Sequence, residues 1–85
     1  MCYTYILYSE STDRFYIGSC SDIELRLQRH NDGWSRSTKH GRPWTIVYYE
    51  EYRTKSEALK RENEIKKKKS RKYIEYLINS RRSSR

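Results

Sequence analysis

The chain has 85 residues, a formal net charge of +8 and 34% hydrophobic residues, to which nine tyrosines contribute heavily. That length fits one domain with a thin core, no apolar run approaches the roughly 20 residues of a membrane-spanning helix, and two cysteines, Cys2 and Cys20, make neither a disulfide scaffold nor a zinc site. The charge selects a polyanionic partner, with nucleic acid ahead of membrane, because the basic helices lack the broad apolar face that surface binding to lipid requires.

Met1-Cys2-Tyr3-Thr4 runs directly into a strand-like segment without a signal peptide. With both cysteines read as reduced thiols, the expected compartment is the cytoplasm. Tyr3 to Tyr8 is dense in β-branched and aromatic residues and reads as a strand. Arg14 to Gly18 reads as its hairpin partner, and a four-residue loop at Ser9–Thr12 sets Tyr8 facing Asp13 and Tyr5 opposite Tyr16. Asp22 caps a helix from Ile23 to about Asn31. Residues 32–42, with two glycines among basic residues and Pro43 beyond, form an exposed loop. Thr45 to Tyr52 is a third strand. Thr54-Lys55-Ser56-Glu57 has the form of a capping box and opens a helix to about Lys69. Ser70 caps a last helix through Ile78, whose apolar face is Tyr73, Ile74, Leu77 and Ile78. Residues 79–85 carry almost no apolar content and read as a basic, disordered tail. The order is ββαβαα: an α+β domain over residues 1–78, with a small three-stranded antiparallel sheet flanked by helices.

Several polar residues fall on faces expected to be buried. On the helix from Lys55, the apolar positions Ala58, Leu59 and Ile65 cluster on one side, with Glu62 among them. A carboxylate there needs a compensating partner: a metal or cation at a site, or, more plainly, a salt bridge at the edge of the stripe. On the first helix, Arg26 and His30 are stacked four apart beside Ile23 and Leu27. They suit a site at the edge of the domain, or a snorkelling arginine and a satisfied histidine. Tyr5 and Tyr16 alone would be core tyrosines, and Gly18 a point of close backbone approach.

Taken together these residues suit phosphodiester hydrolysis. Glu62 would be the carboxylate of a single Mg²⁺ or Mn²⁺, since Glu64 points away from it. Arg26 would grip phosphate through its planar fork. A tyrosine with a pKa drawn down by metal and arginine would act on water, with His30 orienting or relaying a proton.

The motifs Tyr3-Thr4-Tyr5, Tyr16-Ile17-Gly18, Arg26 with His30, and Arg61-Glu62-Asn63 before Ile65-Lys66 resemble the GIY-YIG nuclease superfamily in order and spacing, from Cys2 to Ile78. Eleven positions separate Tyr5 from Tyr16 and ten separate Tyr16 from Arg26. The similarity is greatest to short stand-alone bacterial members, themselves similar to the nuclease modules of excision-repair proteins and of phage homing endonucleases. The resemblance implies a metal-dependent endonuclease hydrolysing phosphodiester bonds in DNA, in a setting of repair or recombination. It implies Tyr5 and Tyr16 as the motif tyrosines, Arg26 on phosphate, His30 in support, Glu62 on the metal and Gly18 giving the backbone access. The first motif lacks the eponymous glycine and isoleucine. Ser19 stands where some repair-type members carry lysine, and a late asparagine has no clear counterpart.

Substrate contacts would come from Arg36, Lys39, His40 and Arg42, interleaved with Trp34 and Trp44, and from the run containing Lys66, Lys68 and Lys69. The tryptophans either stack on an exposed base or anchor the loop to the core. The basic run either contacts phosphate or only complements a helix end. Nothing reads base sequence, so substrate choice falls to the domain itself, a protein partner or a homodimer. The alternative is a non-catalytic nucleic-acid-binding module on the same fold; a protein-interaction domain fits the charge poorly.

Overall fold

The central strand β1 (Cys2–Ser9) carries four consecutive buried residues, Thr4, Tyr5, Ile6 and Leu7. An unbroken run of this kind belongs to a strand covered on both faces, and the topology agrees. The structure is a computed structural model that describes residues 1–34, 36 and 38–83, with only the backbone of 81–83. In it β1 lies between β2 (Arg14–Cys20) and β3 (Trp44–Tyr52), both antiparallel to it. Tyr5 and Leu7 point to one face, where Ile23 and Leu27 of helix α1 (Ile23–Asn31) join them with Trp44. Ile6 points to the other face. There it meets Ile65 of α2 (Lys55–Lys68) and Tyr73, Ile74 and Leu77 of α3 (Arg71–Ser83). The order is ββαβαα, with a 3₁₀ turn at Lys39–Gly41 in the loop before β3.

The hairpin register differs from the expected one by two residues. Tyr5 pairs with Gly18 and Leu7 with Tyr16. Ser9 pairs with Arg14, so the loop is Glu10–Asp13 rather than Ser9–Thr12. Its chemistry explains the shift: the Ser9 hydroxyl accepts from the Thr12 amide at 3.2 Å and the Thr12 hydroxyl at 2.8 Å. Asp13 closes the turn in the left-handed region with φ 54°, a conformation its short polar side chain tolerates. A slip of two preserves the face, so Tyr5 and Tyr16 remain diagonal neighbours on the α1 side.

β3 starts at Trp44, one residue earlier than expected, because the side chain of Asn31 brackets that backbone. The Trp44 amide donates to Asn31 Oδ1 at 2.6 Å and Asn31 Nδ2 donates to the Trp44 carbonyl at 3.1 Å. The Asp22 cap and the Thr54 cap are both present, the latter with Glu57 bonded to the Thr54 hydroxyl at 3.1 Å. The last helix continues to Ser83, five residues past Ile78, where the sequence predicts the start of a tail. No glycine or proline interrupts residues 79–83, and adding residues to a formed helix is far easier than starting one. The final two residues lie outside the described part.

Candidate active site

The site grows from the crossing of β1, β2 and the last turn of α1. Tyr5 is 2% exposed and His30 is 3% exposed. The Tyr5 hydroxyl lies 3.2 Å from His30 Nε2, and His30 Nδ1 lies 2.8 Å from the Thr38 hydroxyl. The Tyr16 ring meets His30 edge-on at 4.9 Å between centroids and also leans on Trp44. Burial lowers the pKa of His30, and the charge of Arg26 lowers it further. The imidazole is therefore held neutral, with one ring nitrogen donating and the other accepting between two hydroxyls. Burial likewise raises the pKa of Tyr5, and Arg26 only partly opposes it. At Tyr5 desolvation outweighs the nearby cation. Gly18, paired with Tyr5, leaves the space the phenol occupies: a Cβ there would stand 2.5 Å from the hydroxyl oxygen.

Glu62 comes from the far layer, on α2. Ala58 and Ile65 are buried, but Leu59, expected on the same stripe, is 46% exposed. The stripe is narrower than the sequence suggests and Glu62 sits at its edge, its side chain 12% exposed. Lys66 donates to Oε2 at 2.6 Å, so the plain salt-bridge reading holds for that oxygen. The other oxygen is tied to the sheet, where the Ser19 hydroxyl donates to Oε1 at 2.7 Å. Arg26 is exposed on α1, and its side chain has no hydrogen-bond or ion-pair partner among the described residues. The charges of Arg26 and Glu62 both act on the Tyr5 hydroxyl, in opposite senses. The described residues contain no group of three or more His, Cys, Asp or Glu able to hold a metal. Any ion at this place would have Glu62 as its carboxylate, and Glu64 is exposed.

The two tryptophans of the basic loop separate. Trp44 is 5% exposed and its indole donates to the Thr38 carbonyl at 2.6 Å, so it anchors the loop. Trp34 is 71% exposed, with the Arg29 guanidinium 5.0 Å from its ring. Arg36, Lys39 and Arg42 are exposed, and Arg42 is steadied by the Lys39 carbonyl at 2.8 Å. In the second basic run, Lys66 is paired with Glu62, Lys68 lies 5.4 Å from the Tyr73 ring, and Lys69 ends α2 in the left-handed region with φ 46°. Of these six cations, only Lys66 bonds directly to the group formed by Tyr5, Tyr16, Arg26, His30 and Glu62 among the described residues.

Four side chains escape a reading of the sequence. Thr38 and Asn31 fix the loop to α1 and β3, and Ser19 ties Glu62 to β2. Glu50 is gripped by Arg61 in two bonds, 2.9 and 3.2 Å, and accepts from the hydroxyls of Tyr48 and Tyr52. Burial alone would raise the Glu50 pKa, but these donors outweigh it and hold the carboxyl below its usual range. Alternation along β3 is the signal that reveals this last cluster, because Tyr48, Glu50 and Tyr52 share the face turned to α2 and α3.

The family model of the GIY-YIG catalytic domain matches residues 1–74. UPF0213 proteins of Staphylococcus aureus strains Mu3 and N315 are each 49% identical to the chain over 57 residues, covering 66% of it and 70% of the relative. The solution NMR structure of a UPF0213 protein from Bacillus halodurans is similar over 93% of this chain and 84% of its own, with a TM-score of 0.56 and 31% identity. Among the described residues no helix is long and apolar enough to cross a membrane.

Proposed function

Because the chain belongs to the GIY-YIG nuclease family, we propose that it is a metal-dependent endonuclease that hydrolyses phosphodiester bonds in DNA. The observation that carries this reading is Glu62. A carboxylate from α2 is fixed to β2 by Ser19, near enough for its charge to act on Tyr5, the partner of His30, as does the charge of Arg26, which has no partner among the described residues. Glu62 fits a divalent ion: one oxygen is held in place by Ser19, and the other meets Lys66, whose side chain is half exposed. Mg²⁺ or Mn²⁺, when bound, supplies charge stabilisation on phosphate oxygens and lowers the pKa of its water. Arg26 presents a free guanidinium to the phosphate. Tyr16, only partly buried, is the tyrosine that activates water, while Tyr5, His30 and Thr38 hold it in position. Arg36, Lys39, Arg42, Lys68 and Lys69 add salt-sensitive contacts to the strand. The setting is DNA repair or recombination in the cytoplasm, with a protein partner or a homodimer aiding substrate choice.

The test is incubation with supercoiled plasmid and with branched or flapped duplex, in Mg²⁺, Mn²⁺ or chelator, beside Glu62→Ala. Metal-dependent cleavage by the unaltered protein alone supports the reading. The Glu62–Lys66 pair at 2.6 Å favours one other reading, a non-catalytic module in which the carboxylate is merely satisfied. Binding that ignores both metal and Glu62→Ala, with no cleavage of any substrate, would establish that second reading.

A further inference from the structure

A small cavity of about 160 Å³ opens behind Arg26, lined by Cys2, Ser19, Cys20, Ser21, Arg26, Lys55 and Ala58. It has room for a phosphate group. Two of its walls are cations from different layers: Arg26 from α1 and Lys55 from the first position of α2. Neither side chain has a hydrogen-bond or ion-pair partner among the described residues, although Glu50, Glu62 and Asp13 are each taken by another cation. Two unpaired positive charges facing one cavity repel each other unless an anion lies between them. Ser21 adds a hydroxyl donor, the Ser19 proton being committed to Glu62, and the first turn of α2 adds its positive dipole end. No carboxylate lines the cavity. Burial raises the Cys20 pKa, so its thiol stays neutral and does not oppose an anion.

We propose that this cavity is a second phosphate seat, in which Lys55 and Ser21 hold a phosphate of the bound strand next to the one contacted at Glu62, with Arg26 as the shared wall. The inference rests on the proposed nuclease reading for what the strand is, but not for whether the seat binds. Ser19 joins the two places: its hydroxyl lines the cavity and also holds Glu62. Occupation of the seat therefore sets the register of the strand against the carboxylate.

The experiment is fluorescence anisotropy of labelled single-stranded and flapped oligonucleotides in chelator, across a salt titration, for the unaltered protein, Lys55→Gln and Lys60→Gln. Lys60 is an exposed cation on the same helix outside the cavity and controls for net charge. Lys55→Gln is expected to weaken binding about tenfold at 0.1 M salt and to lower the salt slope by about one, with a much smaller effect from Lys60→Gln. Equal effects of the two variants would overturn the seat. Strands with a 5′-phosphate, a 5′-hydroxyl, or one methylphosphonate linkage locate the phosphate. A Lys55 effect that vanishes with the 5′-hydroxyl assigns a terminal group and corrects the proposal. One that vanishes only with the methylphosphonate supports the internal phosphate proposed. Because chelator is present throughout, loss of the seat and absence of nuclease activity are read separately.

Discussion

The phenol of Tyr5 lies directly over Gly18, its partner across the hairpin, and fills the space a side chain there would need. A methyl group at Gly18 would approach the Tyr5 oxygen to 2.5 Å and the carbon bearing it to 2.7 Å. Gly18→Ala should therefore displace the ring and break its contact with His30. Overpacking of this kind costs about 1–3 kcal/mol, and a domain of this size loses about 4–8 °C in Tm per kcal/mol. Thermal melts should show that loss. Adding Tyr5→Phe should restore only part of it, since the ring carbon still collides. An unchanged melting temperature in Gly18→Ala would show that the ring moves freely.

His30 makes stability depend on pH near neutrality. Its folded pKa lies below the ordinary value of 6.5, from burial first and Arg26 second. Below 6.5 the unfolded chain takes up a proton that the folded one refuses, so this contribution is whole above 6.5 and declines as pH falls. Melting temperature should drop from pH 7 to pH 5.5, and His30→Gln should flatten the profile while lowering it. The lowered pKa values of Glu50 and Asp13 place their losses further into acid. Parallel profiles for the two proteins would remove His30 as the source.

The topology is legible in the sequence because its signals are local: caps at Asp22 and Thr54, strand-forming runs, and turn residues between them. What depends on tertiary contact is not. The hairpin register is set by the Ser9 hydroxyl and the left-handed Asp13, which a count of loop residues does not weigh. Trp34 and Trp44 have similar basic surroundings in the sequence, yet one is exposed and one buried, because Asn31 and Thr38 hold only the second. The polar residues Tyr5, Tyr16 and His30 are legible as a group, and the structure brings them into contact. Ser19 stands where some repair-type members carry lysine, and nothing local in the sequence marks its hydroxyl as what fastens Glu62 to the sheet.

The two motif tyrosines should differ in effect. Tyr5 is buried, its pKa is raised by that burial, and its hydroxyl is engaged by His30. Tyr16 is only partly buried. Under the nuclease reading Tyr16→Phe removes the group acting on water and should cut the cleavage rate by at least about 100-fold, the lower range for general-base catalysis. Tyr5→Phe leaves that group in place and should cost about tenfold or less through a looser His30. Single-turnover cleavage with each variant decides between them, and the reverse order would assign the water to Tyr5.

Lys66 should compete with the metal for Glu62. Its ammonium lies 2.6 Å from Oε2, the oxygen left free by Ser19. A lysine cation about 4 Å from a bound divalent ion opposes it by about 2 kcal/mol in a watery setting, equal to about a 30-fold change in affinity. Lys66→Gln should tighten Mn²⁺ binding by that factor in calorimetry without DNA, and Ser19→Ala should weaken it by freeing the carboxylate to rotate. The same Lys66→Gln should weaken DNA binding if the lysine also meets phosphate, so metal and DNA affinities move in opposite directions. A lysine that merely satisfies the carboxylate of a binding module predicts something else: no Mn²⁺ uptake by any of these proteins, with DNA affinity as the only quantity that changes.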